Sequence, residues 1–273
     1  MLIKKLIPKY IKNKILNEIN KNYLFSGWNM QTKTCPPWKY INNRPNIATQ
    51  IPYFQKIQNE LENKIKIQKF KSNQFKENFL EKSKELMWRH YNVCLTINLV
   101  LNKSKKNKTF CEVGVADGIT AWFALKTLKK ENVKYNNFWL YDSWTEMKKK
   151  YLIKNDYKNI GKFDSNDLAT TKMNLSIFKN VIFVKGFVPE SFKPINNSPL
   201  KCDWLHIDLN SSKSTIETLN FFEKKLVRNS LILFDDFGWP SYETTRIQIE
   251  KWCYKKKGFL WPLPTGQAIY ILK

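Results

Sequence analysis

From residue 109 onward the apolar positions fall into short runs that alternate with longer stretches of helical spacing. The runs at 109–113, 138–141, 181–184, 204–207 and 231–234 are too short for helices and rich in β-branched and aromatic residues, so they predict strands. Between them, 119–128, 168–178, 212–226 and 242–254 have helical spacing. Two last runs, 259–261 and 268–272, flank Pro264-Thr-Gly266 and predict a hairpin. Repeated strand–helix–strand order with near-continuous apolar strands predicts a doubly wound α/β domain. The expected sheet has seven mostly parallel strands with helices on both faces, and the hairpin adds an antiparallel strand. Residues 1–108 read differently. A basic helix over 1–22 is interrupted by Pro8, and an irregular aromatic segment occupies 25–52. Residues 53–84 are charged and helical in pattern. A stronger helix over 85–101 has Met87, Tyr91, Cys94, Ile97 and Leu101 at helical spacing. The polar break at 104–108 divides an N-terminal extension, 1–108, from a domain at 109–273.

Ligands of open α/β sheets sit beyond the carboxyl ends of the strands. The first strand of the domain ends in Glu112-Val113-Gly114-Val-Ala-Asp117-Gly118. Its glycines allow close approach to a ligand and a turn into the next helix. The spacing is not the G-x-G-x-x-G of dinucleotide enzymes. The second strand ends in Asp142-Ser143, where a carboxylate can accept both ribose hydroxyls or else cap a turn. The third ends in Lys185-Gly186, the fourth in His206-Ile-Asp208 and the fifth in Asp235-Asp236. Three carboxylates on neighbouring strand ends repel one another and call for a cation, a bound amine or raised pKa values. An all-oxygen trio of Asp208, Asp235 and Asp236 suits Mg²⁺. His206 and Asp208 project to one side of their strand. Either is a candidate general base, and His206 reads equally as a hydrogen-bonded core residue.

These motifs carry a resemblance. Phe110-Cys-Glu-Val-Gly-Val-Ala-Asp-Gly118, Tyr141-Asp-Ser-Trp144, Val184-Lys-Gly-Phe187, Leu205-His-Ile-Asp208 and Leu233-Phe-Asp-Asp-Phe-Gly-Trp239 occur in order. Together they resemble the macrocin O-methyltransferase family of class I S-adenosylmethionine-dependent methyltransferases, over residues 85–273. The resemblance implies a Rossmann-like fold and methylation of a sugar hydroxyl. It implies that Glu112 and its loop hold the methionine part of S-adenosylmethionine and that Asp142 holds the ribose. It implies that Asp208, Asp235 and Asp236 hold magnesium. One departure is Asn210, where the family often has a second acidic residue.

Composition narrows the alternatives. Forty-seven basic against 23 acidic side chains leave a formal charge of +24, most of it in residues 1–108. A basic arm suits contact with a membrane surface, nucleic acid or an anionic glycan precursor. It also fits a chain that favours Lys, Asn and Ile throughout. Five scattered cysteines without C-x-x-C pairing argue against a disulfide framework and a zinc site, and fit a cytoplasmic enzyme. No run reaches a membrane span. An RNA methyltransferase is the nearest rival, but Asp208-Leu-Asn210-Ser211 lacks the Pro-Pro-aromatic clamp of base-amine enzymes, so nucleic acid is not the expected partner. A non-catalytic Rossmann-like module is the rival outside enzymes, and the intact carboxylates speak against it. The expected partner is a small-molecule or glycan substrate, and a homo-oligomer is compatible with the sequence.

Overall fold

A computed structural model describes residues 53–102, 105–195, 200–256 and 258–273. The expected helix at 1–22 and the irregular segment at 25–52 lie outside them. Three helices come first: α1 (Phe54–Lys66), α2 (Phe79–Glu85) and α3 (Met87–Leu101). Strands and helices then alternate as β1 (Lys106–Val113), α4 (Ile119–Lys130), β2 (Lys134–Asp142), α5 (Leu168–Leu175), β3 (Val181–Lys185) and β4 (Cys202–Ile207). The chain continues through α6 (Ser212–Phe222), β5 (Leu226–Phe234), α7 (Glu243–Lys255), β6 (Phe259–Pro262) and β7 (Ala268–Ile271). The sheet order is β3-β2-β1-β4-β5-β7-β6, with β7 antiparallel to β5 and to β6. The seven-stranded, mostly parallel architecture expected from the sequence is the one formed. Several strands start earlier than their apolar runs. β2 begins at Lys134 because its first half is polar and partly exposed yet still pairs with β1.

Period-two alternation sorts each strand between two cores. Phe110, Trp204, Leu231, Leu233 and Ile269 face the layer of α1, α3 and α4. Cys111, Val113, Leu205, Ile207, Ile232, Phe234 and Tyr270 face α6 and α7. Among the described residues, those of α1 and α3 ahead of β1 are therefore part of the main core. Phe54, Ile57 and Leu61 of α1 are fully buried, and Phe54 packs edge-on against Tyr91 of α3 and tilted against Phe123 of α4. Phe54→Ala is expected to cost about 3 kcal/mol within a single cooperative unfolding transition. A separate early transition in denaturant titrations would instead mark the helices as an independent unit.

The loops that frame the carboxyl edge are tied down by polar contacts. The long connection 146–164 forms two 3₁₀ turns, Lys149–Tyr151 and Lys154–Asn159. It docks on the ends of α6 and α7. The Ser212 amide donates to Asp156 Oδ2 at 2.8 Å, Asn159 Nδ2 donates to the Asn210 carbonyl at 2.8 Å, and Asn155 Nδ2 donates to Thr244 Oγ1 at 2.7 Å. Cys94, Cys111, Cys202 and Cys253 are buried free thiols. No described helix is long and apolar enough to cross a membrane.

Candidate active site

Parallel pairing carries on for one residue past each strand and fixes the rim. The Gly114 amide donates to the Tyr141 carbonyl (2.8 Å), Asp208 N to the Val113 carbonyl (2.9 Å) and Asp235 N to the Ile207 carbonyl (3.0 Å). These contacts place the glycine loop, Asp208 and Asp235 side by side where the strand order reverses. A cavity of about 460 Å³ opens there. Glu112, Gly114, Asp117, Asp142, Ser143 and Gly186 line it on one side, and Asp208, Asp235 and Asp236 on the other. Of the cofactor residues expected from the sequence, Val113 and Gly118 stand behind the wall. Val113 is fully buried in β1, and Gly118 opens α4.

The loop is shaped by two glycines. Gly118, at φ +83°, has the left-handed conformation that enters the helix, which a side chain disfavours. Gly114, at φ +91°, lies so close to β4 that a Cβ would stand 1.7 Å from the Asp208 carbonyl oxygen. Asp142 closes the loop from β2. Its Oδ2 accepts from the Val115 and Ala116 amides at 2.7 and 2.9 Å, and its Oδ1 from the Trp144 amide at 2.6 Å. The turn-capping reading of Asp142 is thus realised, on a residue that also faces the cavity. Asp142→Ala is expected to weaken binding of S-adenosylhomocysteine about 10- to 100-fold, since charge-assisted bonds to amides are each worth roughly 1.5–3 kcal/mol. Calorimetry on the folded variant checks it. Asp117 is buried at the cavity edge and accepts from the Ser72 hydroxyl, tying the segment between α1 and α2 to the loop.

Glu112, His206 and Asp235 share the sheet face that looks toward α3, because β1 and β4 pair Glu112 with His206. His206 Nδ1 stands 3.4 Å from Glu112 Oε1, and its Nε2 stands 3.9 Å from Asp235 Oδ1. Burial, then the Arg89 charge, pushes His206 down to about 3, so the ring is neutral. It is 1% exposed and does not line the cavity. Glu112 is equally buried, and its Oε2 has no hydrogen-bond partner. Burial, followed by the charges of Asp208 and Asp142, raises its pKa well above the usual carboxylate range.

Asp208, Asp235 and Asp236 each offer a carboxylate oxygen, and the three atoms lie within 4.8 Å of one another. At that spacing two like charges repel by roughly 3 kcal/mol for an effective dielectric near 20, so the trio needs compensation. Burial and the neighbouring Asp208 push Asp236 up to about 7. Asp208 is raised too, by burial and Asp142 against the lowering effect of Arg89. Arg89 of α3 supplies countercharge. It is ion-paired with Asp235, its Nε donates to Asp235 Oδ1 at 3.1 Å, and its Nη2 lies 3.9 Å from Asp208 Oδ2. Gln267, from the β6–β7 hairpin, donates to the same Asp235 oxygen at 2.8 Å.

Asn210, the position that departs from the resembled family, braces the other two acids. Its amide donates to Asp236 Oδ2 at 2.7 Å, its Nδ2 to Asp208 Oδ1 at 3.3 Å, and its Oδ1 accepts from the Tyr242 hydroxyl. An aspartate here loses the side-chain donor and adds a fourth negative charge. Arg89, Gln267, Trp239 and Tyr242 are site residues that motif reading missed. Trp239 ended a recognised motif, but Arg89 and Gln267 lie far from the trio in sequence and gave no local signal.

No curated protein matches this sequence. Residues 111–237 match the family described as a methyltransferase domain. The solved structure of the O-methyltransferase NovP is similar, with a TM-score of 0.58 at 16% identity, over 68% of this chain and 80% of that one. CalS11, described as a calicheamicin methyltransferase, has a TM-score of 0.53 at 15% identity, over 81% of this chain and 93% of that one. At such identities the likeness is one of fold. The sheet order and the glycine loop at its reversal point agree with these likenesses: the chain has the class I methyltransferase fold, and residues 111–237 of it match the methyltransferase-domain family.

Proposed function

We propose that this protein is an S-adenosylmethionine-dependent O-methyltransferase acting on a sugar hydroxyl, with a divalent cation assisting. The observation that carries the reading is one cavity holding two complementary ends. One end is a glycine loop with the buried, unpartnered carboxylate oxygen of Glu112. The other is three converging aspartates. A buried acceptor without a partner fits the ammonium of an amino-acid ligand. Glu112, Val113, Gly114, Asp117, Gly118, Asp142, Ser143 and Gly186 thus form or back the cofactor subsite. S-adenosylmethionine, when bound, supplies the methyl group.

The donor set of the trio, three hard oxygens partly shielded from water, fits Mg²⁺ or Mn²⁺. Asp208, Asp235 and Asp236 hold the ion in this reading. Such an ion, when bound, would supply a positive charge that makes a nearby substrate hydroxyl easier to deprotonate, which matters because an alcohol is a poor nucleophile at neutral pH. Asp208 takes the hydroxyl proton. It is the trio member with 31% of its side chain exposed, and it faces the cavity. His206 has a positioning role beneath the floor instead. Trp239 and Tyr242 form an aromatic wall beside the trio, a surface on which the C–H face of a sugar packs. The sugar assignment and its place in glycan or glycosylated-metabolite synthesis draw on the motif resemblance to the macrocin O-methyltransferase family.

A methyl-transfer screen with labelled cofactor over nucleotide sugars, polysaccharide fragments and tRNA tests the reading. Label is expected in a sugar fraction and is expected to be lost on chelation. Label in tRNA alone would overturn the substrate class, and transfer that survives both chelation and Asp235→Ala would overturn the cation.

A further inference from the structure

We propose that Arg89 is a tethered counter-cation of the aspartate trio, holding Asp235 while no divalent ion is bound and competing with such an ion for it. The inference rests on the cation reading above. Arg89 belongs to α3, ahead of the 111–237 methyltransferase match. Among the described residues it is the one arginine or lysine in ion-pair reach of the trio. A guanidinium side chain brings a positive charge to the site.

The three aspartates are not held alike. Asp236 and Asp208 are braced by neutral donors of Asn210. Asp235 is braced by charge: Arg89 contacts both of its oxygens, and Gln267 adds a bond to Oδ1. A divalent ion drawing on all three acids has to share Asp235 with the guanidinium, and two cations on one carboxylate repel. Trp239 flanks the same guanidinium. The guanidinium carbon is 5.7 Å from the centre of the Trp239 ring, whose face attracts a cation. The arrangement pre-forms the trio, since three unneutralised acids would otherwise spread apart, and it lowers the affinity for the ion.

The test is Mn²⁺ binding to the purified full chain, measured by calorimetry and by the rise in Tm on adding Mn²⁺, without substrate. Arg89→Gln is expected to bind Mn²⁺ at least about 10-fold more tightly than wild type, roughly 1.4 kcal/mol. Mn²⁺ is expected to raise its Tm further than that of wild type at equal concentration. Arg89→Lys keeps the charge but not the two-pronged contact, and is expected to bind Mn²⁺ less tightly than Arg89→Gln. If Arg89→Gln does not fold, Arg89→Met keeps the apolar stem over Trp239 and reads the same quantity. Wild type that binds Mn²⁺ while the neutral variants bind equally or more weakly would overturn the counter-cation. Tightening by the lysine variant as large as by glutamine would overturn it as well. If neither wild type nor any Arg89 variant binds Mn²⁺ at millimolar concentration, the cation reading itself fails and this inference with it.

Discussion

Gly114→Ala is expected to abolish binding of S-adenosylmethionine and to destabilise the protein by at least about 4–5 kcal/mol, the range in which single substitutions are exceptional. Two costs coincide. The added Cβ would lie 1.7 Å from the Asp208 carbonyl oxygen, which is backbone and has no rotamer to yield. The residue also sits at φ +91°, where an L side chain is strained. Relief requires the loop to lift away from β4. That breaks the bond from the Asp208 amide to the Val113 carbonyl and moves Asp208 itself. Thermal unfolding and calorimetry with S-adenosylhomocysteine check both halves. A variant with wild-type Tm and affinity would mean that the loop and β4 are not in this close approach.

Asp208→Asn is expected to lower methyl transfer by about 10²–10⁴, the usual worth of a positioned acid–base group, and to leave S-adenosylhomocysteine affinity within a few-fold. The amide keeps the shape of the side chain and its contact with Asn210 but removes the proton acceptor. It also removes one charge from a trio whose other members stay in place. The loss is expected in kcat, because the proposed role of Asp208 is to take the proton moved during reaction. An equal loss in cofactor affinity would point to a structural role for Asp208. His206→Gln provides the contrast. His206 is buried and away from the cavity, so its loss is expected to appear first as lowered stability.

The fold was legible because a parallel sheet buried on both sides must be written in short apolar runs, and helices between them must show a 3.6 period. The polar entry to β2 was not legible, since its residues are held by pairing with β1 rather than by burial. The break at 104–108 reads as a domain edge in a linear pattern. Across that break, Phe54, Ile57 and Leu61 pack in the core that holds Phe110 and Trp122. That contact between segments distant in sequence leaves no trace in a linear pattern.

The candidate site divides in the same way. By itself the sequence determined which carboxylates stand at strand ends, because each directly follows an apolar run and strand ends of this fold converge on one rim. It also determined that glycines interrupt the first turn, since few other residues tolerate that conformation. Only the tertiary structure decided what surrounds them. Register set Glu112 opposite His206 and buried His206 out of the cavity. Arg89 and Gln267 reach Asp235 from positions 146 and 32 residues away. Asn210 became a brace between two acids rather than a lost charge. Such pairings depend on distances across the fold, which neither periodicity nor local motif spacing encodes.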